Sequence, residues 1–152
     1  MDNDKDRDDD KDQDEDLNVK EQRTKELIRQ ILSALSYMHG KDFVHKGIAP
    51  ENIYLKNNGE VIIFDQMLFR KTKKKVEQNE EEEDHPYYSA PEVIKSKYQT
   101  YEKSTDVWSA GIIMYNLLSG SQPFDGEDRR EVEKSILECN LEFPKTEFDN
   151  VS

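Results

Sequence analysis

The sequence predicts a mostly α-helical domain, with helices grouped around a buried central helix and one small β-hairpin. Three observations carry this expectation. Leu27, Ile28, Ile31, Leu35 and Met38 recur at three- and four-residue spacing, the stripe of an amphipathic helix. Residues 105–119 are apolar around most of the helical circumference through Trp108, Ile112, Ile113, Leu117 and Leu118, as a helix covered on several sides would be. Between them lie two short β-prone runs, 53–55 and 61–64, joined by Asn57-Asn58-Gly59. The Asn-Gly pair accepts the positive φ that a tight turn needs.

The elements follow in order. Residues 1–16 hold nine Asp and one Glu against Lys5, Arg7 and Lys11, so −7 of the chain's −12 sits there. With Met1 as its only apolar residue this segment has nothing to bury and repels itself, and 1–19 is expected as an extended, disordered acidic tail. Asp2, Asp4 and Asp6 alternate as in a calcium loop, which also needs Gly at the sixth position and Glu at the twelfth. Arg7 and Gln13 stand there, leaving weak, nonspecific cation attraction. The folded domain is expected over 20–152, its first helix stopping at Gly40. After the hairpin, 68–84 reads as a mobile loop in which Arg70, Lys71, Lys73, Lys74 and Lys75 are offset by Glu77, Glu80 to Glu83 and Asp84. Gly120 follows the central helix, Pro123-Phe124 breaks the chain, and 128–140 reads as a third helix, amphipathic through Val132, Ile136 and Leu137.

Composition excludes several function classes. Leu, Ile, Val and Phe make up 34 of 152 residues, a thin core, while charged residues reach 37% against roughly 25% in ordinary domains. No apolar run approaches the ~18 residues of a membrane span, and Met-Asp-Asn-Asp is no signal peptide. Nucleic-acid binding needs clustered cations, which the acidic balance argues against. Cys139 is a lone cysteine and cannot close an internal disulfide, pointing to a reducing compartment, cytoplasm or nucleus.

Several motifs fall in a telling order. A helix leads into His45-Lys46-Gly47-Ile48-Ala49-Pro50-Glu51-Asn52, then a hairpin closes on Asp65. A loop leads to Pro86-Tyr87-Tyr88-Ser89-Ala90-Pro91-Glu92, and Asp106-Val107-Trp108-Ser109-Ala110-Gly111 opens the central helix. Together, over 20–152, these segments resemble the C-terminal lobe of a eukaryotic protein kinase. Ser119-Gly120-Ser121-Gln122-Pro123-Phe124 draws the likeness toward the calcium- and calmodulin-dependent Ser/Thr branch, the calcium-dependent protein kinases included.

The resemblance implies roles that this sequence fills only in part. Kinase chemistry is mostly positioning and charge neutralisation. The family's catalytic-loop Asp, which accepts the substrate hydroxyl's proton, is Gly47 here. The lysine two positions on is Ala49, and the threonine two residues before the Tyr-Tyr pair is His85. These three side chains form one cluster around the phosphoacceptor in the family, so their joint absence implies loss of one function. Asn52 and Asp65 match the two magnesium ligands, or else cap the hairpin and ligate nothing. The family's Asp-Phe-Gly triplet reads Asp65-Gln66-Met67, which implies a more exposed or differently folded turn.

The remaining matches imply scaffold roles. His45 would sit under the catalytic loop, Asp106 would hold its backbone, and Trp108 would pack behind Ala90-Pro91-Glu92. Glu92 normally pairs with an arginine beyond the third helix and must here find another cation or face water. Lys46 stands for the arginine that reads activation-loop phosphate, Thr72 is either a phosphosite or part of a solvated loop, and Tyr87 and Tyr88 imply substrate-groove architecture. No Gly-x-Gly-x-x-Gly occurs, and no strand lysine precedes the first helix. The expectation is therefore a C-lobe without the N-lobe or the C-terminal end. Three functions are open: an inactive kinase-like fragment that binds unidentified protein partners and needs no cofactor, a Ser/Thr kinase using magnesium-ATP alone or completed by a separate N-lobe or intact kinase, and a truncated product without stable function. Neither nucleic acid nor membrane is expected as a partner.

Overall fold

The computed structural model describes residues 6–64, 86–96, 101–148 and 151, with side chains from Val19 onward. Helix α1 spans Asp6–Gly40, a stretch interrupted by neither proline nor glycine before its end. This corrects the expectation of an extended tail through residue 19, because the backbone is already helical from Asp6. Nucleation is the costly step of helix formation, and each residue added to a packed helix gains one hydrogen bond. Negative charge at a helix N-terminus is also favoured by the macrodipole. The helix stops at Gly40, where Lys41 and Phe43 both donate to the Met38 carbonyl and Asp42 takes a left-handed φ of 56°.

The apolar stripe of α1 forms the first core. Ile28, Ile31 and Leu35 are buried against Ile48, Ala110 and Ile113, with Leu27, Met38, Ile53, Val61, Ile63 and Leu117 packed at the edge. Each fully buried side chain of this kind contributes roughly 1.5–3 kcal/mol.

Strands β1 (Ile53–Leu55) and β2 (Val61–Ile63) pair antiparallel, with Ile53 opposite Ile63 and Leu55 opposite Val61. Of the turn residues only Gly59 takes positive φ, at 82°, and the Asn58 side chain accepts from Glu60 N–H. Gln30 of α1 clips this turn in place, donating to the Gly59 carbonyl and accepting from Val61 N–H. Strand alternation puts Ile53, Val61 and Ile63 on the core face and Tyr54, Ile62 and Phe64 on the other.

Three short stretches then surround the longest buried element. Pro91 starts the one-turn helix α2 (Pro91–Lys95), a position where its missing N–H leaves no bond unmade. Helix α3 (Lys103–Ser119) begins where Glu102 N–H donates to Thr105 Oγ1 and ends on Gly120, left-handed at φ 84°. It joins two cores. Ala110 and Ile113 face α1, whereas Ile112 packs with Phe124, Val132 and Ile136. Val107, Gly111 and Met114 are exposed; their spacing of four and three makes them one outward stripe, so the helix is covered on two sides rather than all round.

Helix α4 (Arg129–Glu138) is capped by Asp128, whose carboxylate accepts from Arg130 and Glu131 N–H. Val132 and Ile136 are buried, but Leu137 is turned outward. Helix α5 (Lys145–Phe148) is a single turn that brings Phe148 onto Tyr115, with Phe143 as the third ring of the group. Among the described residues no helix is long and apolar enough to cross a membrane.

Candidate functional site

The loop after α1 is organised by one carboxylate. Asp106, in the first turn of α3, is 1% exposed. Its Oδ2 accepts from His45 N–H at 2.8 Å and its Oδ1 from Lys46 N–H at 2.8 Å. His39 Nε2 lies 2.8 Å from Oδ2 and donates to it, since a carboxylate oxygen can only accept. Lys46 adopts φ 69°, a left-handed conformation that a non-glycine residue keeps only when its surroundings hold it. Two consecutive N–H groups bound to one carboxylate supply that hold, and Lys46 Nζ lies 5.8 Å over the Tyr101 ring.

The following residues form a tight polar knot. Asn52 closes the 3₁₀ turn Pro50–Asn52 and donates from Nδ2 to the Gly47 carbonyl at 2.6 Å. That bond fixes the amide's orientation and leaves Asn52 Oδ1 buried with no bonding partner among the described residues. His45 Nε2 lies 3.1 Å from the Phe64 carbonyl; the carbonyl accepts, so Nε2 carries the proton, and buried Nδ1 has no partner among the described residues.

Gly47 stands between these two side chains. Its φ lies outside the left-handed region, and a Cβ placed on it would meet Asn52 Nδ2 at 3.5 Å and His45 Nδ1 at 3.9 Å, ordinary contacts. Neither backbone conformation nor crowding therefore calls for glycine. What the position lacks is a proton-accepting side chain. Ala49 is buried, its methyl among the core residues. His85 and Asp65 lie outside the described residues, as do Gln66, Met67 and Thr72.

An unpaired amide oxygen such as Asn52 Oδ1 suits magnesium, which takes hard oxygen ligands in octahedral geometry. Among the described residues no group of three His, Cys, Asp or Glu side chains is gathered for a metal.

A second region joins the 86–92 segment to α3. Ser109 Oγ donates to the Tyr88 carbonyl at 2.7 Å, and Trp108 stacks on Phe124 with centroids 5.7 Å apart and planes 10° off parallel. Tyr87, Tyr88 and Ile94 pack at the edge of the same cluster. Glu92 is exposed to water and accepts a long bond from Thr105 Oγ1, 3.4 Å, with no cation near it among the described residues. Tyr87 Oη sits 3.5 Å from Asp125 Oδ1; partial burial, then the Asp125 charge, pushes its phenol pKa above the usual value.

Two residues of this architecture were missed in the sequence. His39 carries a signal only in its place in the last turn of α1, where a basic side chain suits the helix end. Ser109 carries none beyond its place in the Trp108-Ser109-Ala110 motif.

Residues 5–151 match the family model described as protein kinase domain. Serine/threonine-protein kinase 17A of Oryctolagus cuniculus is 36% identical over 135 residues, which cover 87% of this chain and 33% of that protein. Myosin light chain kinase A of Dictyostelium discoideum is 36% identical over 143 residues, covering 87% and 45%. Calcium-dependent protein kinase 5 of Plasmodium berghei (strain Anka) is 34% identical over 136 residues, covering 87% and 23%. The chain thus spans less than half the length of these curated relatives. With nearly its whole length inside the family match, its catalytic-loop, Ala-Pro-Glu and central-helix motifs in order and Asp106 tying two of them together, this chain belongs to the protein kinase domain family.

Proposed function

We propose that this chain is a pseudokinase-like C-lobe that transfers no phosphate and acts by binding other proteins in the cytoplasm or nucleus. The observation that carries this is Gly47. The loop around it is held by Asp106 and Asn52, a Cβ would meet only ordinary contacts, and yet the position has no side chain to accept a proton. General-base positioning contributes typically 10²–10⁴-fold, and a glycine can supply none of it. Ala49 likewise offers no charge to a transferred phosphate. No cofactor takes part in this reading. Incubating the pure chain with γ-labelled ATP, magnesium and Ser/Thr peptides is expected to label nothing; transfer that disappears in an Asp65→Asn variant would overturn the reading.

One observation favours a second reading, a Ser/Thr kinase that works alone or is completed by a separate N-lobe. Asn52 Oδ1 has no partner among the described residues, and with Asp65 it could hold magnesium, which would neutralise charge on the nucleotide phosphates. The names of the relatives agree with that ancestry. A rise in melting temperature with magnesium-ATP that Asn52→Ala abolishes would support it. An unchanged melting temperature, with and without an added N-lobe, would count against it.

A further inference from the structure

A groove of about 1020 Å³ lies away from the catalytic loop, between α1, the hairpin turn and the end of α3. Its floor is aliphatic and comes from three elements: Val19 and Leu27 of α1, Leu55 of β1 and Leu117 of α3. Val19 and Leu55 remain 41% and 52% exposed. The lining runs along α1 from Val19 to Gln30, about 16 Å at 1.5 Å per residue, which is the length of a three-turn helix. Its width is open to solvent along that length, so it suits a rod rather than an enclosed small molecule.

The lining carries two cations and one carboxylate. Glu26, the acidic residue of the lining, is already engaged by Arg29 at 2.7 Å and by Gln30. Lys20 and Arg23 are the cations; Lys20 Nζ reaches the Leu118 carbonyl, and Arg23 has no bonding partner among the described residues. With Glu26 engaged, the two cations leave the lining with a net positive charge on a chain of net charge −12.

We propose that this groove docks an acidic amphipathic helix of a partner protein, its aliphatic face on Val19, Leu27, Leu55 and Leu117 and its carboxylates toward Arg23 and Lys20. Helix-in-groove recognition needs anchors at i, i+3 or i+4 and i+7, which a floor of this length accommodates. The inference rests on the reading that the chain acts by binding, but the two fail separately: phosphate transfer would sink that reading and leave the groove untouched.

The test uses the full chain and a fluorescein-labelled three-turn peptide with Leu at i, i+4 and i+7 and Glu elsewhere. Fluorescence polarisation is expected to rise saturably, to weaken at least tenfold in Leu55→Glu and several-fold in Arg23→Glu, and to weaken with added salt. Leu55 and Arg23 are both exposed, and a matching melting curve checks that each variant folds. Three results would overturn the proposal: no saturable rise, equal binding of a peptide with Lys in place of Glu, or indifference of both folded variants. Sedimentation showing the groove closed by a second copy of the chain, with self-association lost in Leu55→Glu, would overturn it too.

Discussion

A buried carboxylate that accepts three hydrogen bonds has no easy substitute, and Asp106 is that residue here. Replacing it by Ala leaves the His45 and Lys46 N–H groups and the His39 ring without their acceptor. Breaking a buried ionic group of this kind costs about 3–5 kcal/mol. Asp106→Asn keeps one acceptor oxygen but turns an NH₂ toward a donor, so a loss of roughly 1–3 kcal/mol is expected. Urea midpoints at constant m-value measure both. The glycines make a sharper contrast. Gly126 has no room, since a Cβ there would lie 2.5 Å from Glu131 Cβ and 2.8 Å from Val132 N, so Gly126→Ala must move the start of α4 and is expected to cost about 1–3 kcal/mol. Gly47→Ala meets only ordinary contacts and should stay within about 0.5 kcal/mol. If Gly47→Ala proved as damaging as Gly126→Ala, the glycine would be structural and would say nothing about lost chemistry.

At the scale of elements, links between α1 and α3 set part of the pH response. Lys103 Nζ bonds Asp42 at 2.7 Å, and this hydrogen bond, then the Lys103 charge, holds the Asp42 carboxyl below its ordinary 3.8. A lowered folded pKa stabilises above the unfolded value and is lost as pH falls through the folded one. Lys103→Met should therefore be slightly less stable than the parent at neutral pH, and the difference should shrink as pH falls below 3.8 and disappear below the lowered folded pKa. Tyr115 works in the opposite sense. Burial first, then the charges of Glu147 and Glu142, raises its phenol above 10, so its contribution is present below pH 10 and lost as pH rises further. Chemical melts of Tyr115→Phe should show a flatter alkaline limb; an unchanged limb would remove Tyr115 from the account.

The elements also show what a sequence can and cannot announce. The stripe Ile28, Ile31, Leu35, the Asn58-Gly59 turn and the glycine after Ser119 were legible because each is local: periodicity, positive φ and a helix stop are written in neighbouring residues. The start of α1 was not, since charge composition argues for an extended chain while helix propagation from a packed segment argues against it. The single turns α2 and α5 pack with Phe124 and Tyr115 brought from elsewhere, which no short window reports. At the site, the order of motifs pointed to Asp106 and Asn52, but His39 and Ser109 become polar partners only once α1, α3 and the 86–90 segment are packed.

For the whole molecule, the account separates fold from chemistry. Two small cores meet on α3, and the loop they support keeps its backbone bonds while position 47 carries no proton-accepting side chain. An unstable truncated product would lack the first half of that statement, and a working kinase the second. Both halves can be read on one sample: amide exchange across 105–119 alongside γ-phosphate transfer from magnesium-ATP to a serine or threonine peptide. The account predicts slow exchange along α3 and no transferred phosphate; transfer by the folded chain with Gly47 unchanged would contradict it.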